Sequence, residues 1–243
     1  MTRVGIVTQA RSGSTRLPRN VLLEVGGKTL LEHHLDRLAT SGLPVLVATT
    51  TSPDDDEIAA IASGRGLGVH RGSETDVLAG FQETATAFGL DVIVRVTSDC
   101  PLVDGALIAT AVEQYVAAED PWLYLSNTQV RSFPRGFDFE VFGAGPLAMA
   151  HAQARKPFER EHVTPFLSDE KNDWVRKQDV VWPEDKSAYR VALDTEEDLT
   201  LIRTLIEEYD AASLSVGQII ALLDEHPELV AINADVEQKE LGE

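Results

Sequence analysis

The chain has 243 residues, 43% of them apolar and 25% charged, a balance that suits a folded domain with its own core and argues against a disordered or fibrous chain. Forty acidic against 21 basic residues leave a net charge of −19, which repels a polynucleotide and favours a small ligand. The single cysteine, Cys100, excludes an internal disulfide and suits a reducing cytoplasm, and no stretch has the pattern of a secretory leader or the length of a membrane span.

Val4–Thr8 reads as a buried parallel strand. It opens into Gln9–Pro18, QARSGSTRLP, a turn with two arginines, three hydroxyl residues, a glycine and a closing proline. A strand running into such a turn is how α/β folds set N–H groups and positive charge against a phosphate. Arg11 and Arg16 could grip phosphate oxygens, with Ser12, Ser14 and Thr15 adding donors; a solvated basic turn is the other reading. Val21–Val25 reads as a short extended piece before a Gly26-Gly27 turn, and Leu30 to Leu38 recur at helical spacing.

Strand and helix then alternate. Pro44–Thr50 is a strand, and Ser52-Pro53-Asp54-Asp55 starts a helix that ends at Gly64. Val69–Arg71 is a short strand, followed by a helix from Thr75 to Phe88. Val92–Thr97 (VIVRVT) is the next strand, Asp104 caps a helix, and Trp122–Ser126 is a further strand. Alternation in units of about 25–30 residues predicts a doubly wound, mostly parallel sheet with helices on both faces. Its ligands would lie beyond the strand ends, at Gln9–Arg16, Thr50–Ser52, Gly72-Ser73 and Ser98–Pro101.

The pattern changes from Thr128, predicting a sub-lobe over about residues 128–190 within one domain. Phe137–Phe142 alternates, with Asp138 and Glu140 on what could be the solvent face of an edge strand. Pro146–Ala154 and Arg160–Ser168 read as helices, Val175–Val181 as a strand, Glu196–Tyr209 as a long acidic helix and Ser215 as the cap of a last one. Beyond Pro227 a polar, loosely held tail is expected.

Two carboxylates stand out. Asp99 ends the strand Val92–Thr97 ahead of a proline, where a hard divalent cation could be held, and Asp194 precedes the acidic helix and could be its partner. A turn residue and a helix cap are the alternatives. Arg135 could meet an anionic second substrate, and Arg160 to Thr164 could form an acceptor patch or a helix-start ion pair. No HExxH, CxxC, Walker or GxGxxG pattern is present.

The stretches Gln9–Pro18, GSETDVL (72–78), VRVTSDCPLVD (94–104), GFDFEVF (136–142), REHVTPF (160–166), VALDTEEDL (191–199) and DEHPELVAINADVEQK (224–239), in this order, resemble the spore-coat polysaccharide cytidylyltransferases, relatives of the CMP-sialic acid and CMP-Kdo synthetases. The resemblance implies a Rossmann-like nucleotidyltransferase fold of the GT-A-like kind. It implies transfer of CMP from CTP to a sugar acid or related anionic acceptor with Mg²⁺, releasing pyrophosphate. Carried over by position, Arg11, Arg16 and Asp99 would be catalytic. Gln9, Ala10, Arg11, Ser12, Gly13, Ser14, Arg16, Arg19 and Ser73 would hold the nucleotide, and Asp99 and Asp194 the metal. Arg135, Asp138, Glu140, Arg160 and His162 would face the acceptor. A homodimer is a further expectation. The chain departs from the family at Arg19-Asn20, where the loop usually continues with glycine and lysine. Unless Arg19 supplies the cation, the triphosphate loses a contact of about 1.5–3 kcal/mol. A nucleotide binder without turnover and a sugar-nucleotide glycosyltransferase are the alternative functions.

Overall fold

The structure, a computed structural model, describes residues 2–238. Its centre is β1 (Val4–Gln9), paired in parallel with β4 (Val45–Thr50) on one side and β6 (Val92–Thr97) on the other. β5 (Gly68–Gly72) adds in parallel beyond β4. Beyond β6 come β8 (Glu140–Gly143), β7 (Leu123–Ser126) and β9 (Arg176–Asp179), giving the order β5-β4-β1-β6-β8-β7-β9. Only β8 runs against the others in this sheet. β2 (Glu24–Val25) and β3 (Lys28–Thr29) form a separate small hairpin. The expected alternating fold is therefore present.

The pleat explains why both faces are apolar. Ile6, Val47, Val94 and Leu125 face one side, where α1 (Leu30–Ala39), α2 (Asp56–Gly64) and α4 (Gly105–Ala117) cover them with Leu35, Ile58 and Ile108. Val7, Leu46, Ile93 and Tyr124 face the other, against α3 (Val77–Phe88) and α5 (Ala144–Gln153). A third apolar group joins Leu17, Phe133 and Leu193 to α8 (Glu196–Tyr209) and α9 (Val216–Glu225), and so packs the carboxyl-terminal part of the chain against the opening loop. No helix among the described residues is long and apolar enough to cross a membrane.

Four expectations need correction. Residues 20–22 form a 3-10 turn and the strand pairing is confined to Glu24–Val25, where Gly26 and Gly27, at φ +58° and +80°, fold a two-residue hairpin. The GFDFEVF stretch is no edge: β8 lies inside the sheet and is buried throughout. The helix expected over Arg160–Ser168 breaks into α6 (Pro157–His162) and α7 (Pro165–Ser168) at Val163, which sits at φ +70°. The tail is held through residue 238: α10 (Pro227–Val230) buries Leu229, and Asn233 is buried. The last matching stretch ends at Lys239, outside the described residues. Residues 128–190, where a sub-lobe was expected, contribute β8 and β9 to the main sheet.

His34 ties the central strand to the loop carrying Asp99. Fully buried, it receives the Thr8 hydroxyl on Nε2 (2.8 Å) and donates from Nδ1 to the Cys100 carbonyl (2.8 Å). Burial pushes its pKa down to about 4. The unfolded chain binds a proton near pH 6.5 that the folded chain refuses until about 4, so stability is full above 6.5 and falls between those values. The loss should reach about 3 kcal/mol. Urea unfolding at pH 7 and pH 4.5 should show it, and His34→Leu, which cannot charge, should have the flatter pH dependence.

Candidate active site

The opening loop follows β1 and is fixed by a buried carboxylate that the sequence reading missed. Ser12 donates both its backbone N–H and its hydroxyl to Asp55 Oδ1 (2.7 Å each), and Thr50 donates to Oδ2 (2.5 Å). Burial would raise the Asp55 carboxyl, but the hydrogen bonds from Thr50 and Ser12 hold it below its ordinary value. Ser12 thus anchors the loop with both donors. Ser14 accepts from Leu17 N–H (3.4 Å), Gly13 is exposed, and Arg11 bridges to Glu161 at the end of α6 (3.1 Å). Gln9, Ala10 and Arg11 share a pocket with Thr50 and Ser73, at the carboxyl ends of β1, β4 and β5. Four of the expected nucleotide residues therefore meet in one cavity.

Arg19 and Asn20 take positions the motif did not forecast. Arg19 lies at φ +54°, a conformation that favours glycine, which is the residue the resembling loops carry there. Its side chain pairs with Glu57, both partners being exposed. Asn20 is buried and donates from Nδ2 to the Leu193 carbonyl (2.9 Å), while Leu193 N–H donates to the Asp99 carbonyl (2.8 Å). This backbone-centred bridge brings three remote segments together. Asp194 follows immediately and receives Arg16 on Oδ1 (2.8 Å) and Arg190 on Oδ2 (2.5 Å). Burial raises the Asp99 carboxyl above its usual value, and the Asp194 charge raises it further.

The second cavity is an open cleft beside β6 and β8, lined by Arg135, Asp138, Glu140 and His162 among others. Their states differ. Glu140 is buried and receives Arg95 from the facing position on β6, the Tyr124 hydroxyl (2.5 Å) and the Thr164 hydroxyl (2.6 Å). Its carboxylate is fully engaged within the protein. Asp138 is held by both arms of Arg131 (2.7 and 3.1 Å). Arg135, half-buried, has no hydrogen-bond or ion-pair partner for its guanidinium among the described residues. Burial, with Arg131 nearby, lowers its pKa.

His162 and Thr164 reach this cleft from a strained turn. Thr164 N–H bonds to the His162 carbonyl (2.8 Å) across Val163 at φ +70°, ψ −56°, a conformation that costs a β-branched residue on the order of 1–3 kcal/mol. The fully buried Val163 side chain holds it there. Burial keeps the His162 imidazole below its ordinary pKa. Arg160 departs from expectation: it turns to Asp76 (2.5 Å) and the His151 carbonyl (2.8 Å) and does not line the cleft. Its helix points that face at the start of α3, where Asp76 is the cap.

Arg95 and Arg190 were also missed, although each is a charge inside an apolar strand-like run, VIVRVT and YRVAL, and that pattern signals a buried ion pair. Among the described residues no cluster of three or more His, Cys, Asp or Glu side chains is placed to hold a metal. Asp99 with Asp194 is a two-carboxylate set, and their mutual repulsion is what a hard cation would relieve, given waters and phosphate oxygens for the remainder of its shell.

The cytidylyltransferase family model matches residues 4–226. The chain belongs to the cytidylyltransferase family. It is 31% identical to the spore coat polysaccharide biosynthesis protein SpsF of Bacillus subtilis, over 94% of this chain and 97% of that one. It is 34% identical to the 3-deoxy-manno-octulosonate cytidylyltransferase of Geobacter sulfurreducens, over about half of each chain, 51% and 49%. The solved structure of a cytidylyltransferase from Leptospira borgpetersenii superposes with a TM-score of 0.91 at 31% identity, covering 99% of this chain and 100% of the other. The fold is thus that of its family.

Removing either anchor should loosen the loop beyond β1. Asp55→Ala and Asn20→Ala should each lower unfolding free energy by about 1–3 kcal/mol, because buried donors or acceptors are left unpaired. Urea titration checks the loss, and a smaller CTP-induced rise in melting temperature checks the loop.

Proposed function

We propose that this cytidylyltransferase transfers CMP from CTP to a sugar acid or related anionic acceptor and releases pyrophosphate. The observation that carries the reading is the junction at the strand ends: Gln9, in the pocket beyond β1, pairs with Thr97, in the second cleft, and beside them the N–H of Leu193, the residue before Asp194, bonds the Asp99 carbonyl. A donor and an acceptor would meet there.

Gln9, Ala10 and Ser73 would border the nucleoside, and Arg11 and Arg16 the triphosphate. The acceptor's oxygen attacks the α-phosphorus in line. A new phosphorus–oxygen bond forms, the bond to the β-phosphate bridge breaks, and pyrophosphate carries the displaced pair while the acceptor's proton passes to solvent or a neighbouring base. The guanidinium groups of Arg11 and Arg16 meet the charge that grows on pyrophosphate. Asp99 and Asp194 would hold Mg²⁺, which when bound neutralises phosphate charge and orients the leaving group. The unpaired Arg135 guanidinium would take the acceptor's carboxylate, while Asp138, by pairing with Arg131, keeps the cleft from a larger excess of positive charge. That pairing suits a singly charged acid better than a phosphate dianion. A cytoplasmic setting suits CTP as donor and the lone buried thiol.

Buried Asn20 favours a second reading, a nucleotide binder that has lost turnover, since this side chain faces Leu193 instead of a phosphate. A pyrophosphate-release screen over nucleotides and acid acceptors separates the two. The proposed reaction requires CTP, Mg²⁺ and an acceptor, and Asp99→Ala should lose at least about a hundredfold in rate. Full activity of Asp99→Ala, or in EDTA, contradicts the metal assignment. If the parent is silent and Arg19→Gly with Asn20→Lys turns over CTP, the binder reading stands.

A further inference from the structure

The final stretch of the chain has no place in the reaction as described, yet it touches Arg190, the arginine that holds Asp194. Asp198, in the first turn of α8, is fully buried. It receives Arg190 Nε on Oδ1 (2.9 Å) and Arg190 Nη2 on Oδ2 (3.1 Å), together with the backbone N–H groups of Asp194 (3.0 Å) and Thr195 (3.1 Å). Asn233, from the segment after α10, donates to Asp198 Oδ1 (2.8 Å) and to the Arg190 carbonyl (3.1 Å). Gln238 Oε1 accepts from Arg190 Nη1 (2.6 Å), and Gln238 also lines the second cleft. Arg190 is therefore gripped on three sides, and its remaining contact is the one to Asp194 Oδ2.

We infer that the carboxyl-terminal segment is part of the active site, with Asn233 and Gln238 acting as positioning residues that fix Arg190 and thereby aim Asp194 toward Asp99. The inference rests on the reading of Asp99 and Asp194 as metal carboxylates. Its physical basis is that a carboxylate on a loop points wherever its partners hold it. Arg190 is the partner of Asp194 that comes from outside the nucleotide loop, and Arg190 is planar, so anchoring its other edges leaves one direction for Nη2. The arrangement also explains why DEHPELVAINADVEQK, far from the strand ends in sequence, belongs with the other motifs: its asparagine and glutamine close on the Arg190–Asp198 pair.

The test uses the full chain with Mn²⁺ as a paramagnetic stand-in for Mg²⁺, its affinity measured by electron paramagnetic resonance in the presence of CTP. Gln238 is exposed, so Gln238→Leu should fold normally while removing the acceptor for Arg190 Nη1. It should weaken Mn²⁺ binding about tenfold, since groups that orient metal ligands typically carry 10- to 100-fold in affinity. It should also lower kcat with little change in KM for CTP, and Gln238→Glu, which keeps an acceptor there, should restore both. Asn233→Ala should act in the same direction; should that variant fail to fold, the Gln238 pair decides. Unchanged Mn²⁺ affinity in Gln238→Leu, with binding abolished in Asp194→Ala, overturns the inference alone. A change confined to the acceptor's KM also overturns it, and leaves Gln238 as a cleft wall. Undiminished Mn²⁺ affinity in Asp194→Ala overturns the metal reading and this inference together.

Discussion

The backbone of Leu193 holds the site together. Its carbonyl takes the Asn20 amide from the loop beyond β1, and its N–H goes to the carbonyl of Asp99 beyond β6. One peptide unit on each side of a fully buried leucine thus fixes the distance between the loop beyond β1 and the two carboxylates. Arg16, Asp99 and Asp194 are arranged around that bridge. Arg16 reaches Asp194 because Asn20 pins the end of its loop, and Asp99 feels the Asp194 charge because Leu193 pins the two loops together. These are hydrogen bonds between buried groups, whose loss leaves a partner unpaired, so the bridge resists opening more than its few contacts suggest.

The acidic chain and the basic loop are two parts of one electrostatic design. A surface with net charge −19 lowers the local concentration of anions, and against it the strand-end region sets the guanidinium groups of Arg11, Arg16, Arg135 and Arg190. Three of these four are held by carboxylates of the protein itself, which keeps each guanidinium oriented at modest cost; Arg135 faces its cleft without an ion-pair partner among the described residues. The Val163 turn belongs to the same logic. A β-branched residue at positive φ is tolerated because its side chain is locked in the core, and it delivers His162 and Thr164, on either side of it, to the cleft around one tight reversal.

Much of this was legible in the sequence. The strands VGIVTQ, VLVATT and VIVRVT announce themselves because parallel strands buried on both faces are apolar without alternation, and the position of Asp99 after such a run places it at a ligand-bearing edge. The loop residues Gln9, Ala10, Arg11 and Ser73 were expected together and share a pocket. What could not be read were pairings across long separations. Nothing local shows that Ser12 serves Asp55, that Arg160 turns to Asp76, or that Glu140 is neutralised by Arg95 on the neighbouring strand. The alternation in GFDFEVF pointed to an edge because period-two patterning normally marks a wet face; here Glu140 on that face is buried, and Arg95, Tyr124 and Thr164 replace the water. The docked tail was missed because its polarity looked like solvation, whereas Asn233 and Gln238 are polar in order to meet Arg190 and Asp198.

Direct observation of the cation decides the central claim, that loop contacts through Leu193 assemble one site from Asp99, Asp194 and the arginines of the first loop. Crystals grown with CTP and Mn²⁺ allow the metal to be found by its anomalous scattering. The account predicts a single peak within about 2.5 Å of a carboxylate oxygen of both Asp99 and Asp194, with triphosphate oxygens on its other side and Arg16 against the phosphates. A peak that touches neither carboxylate, or a nucleotide bound away from Arg11 and Arg16, would contradict it.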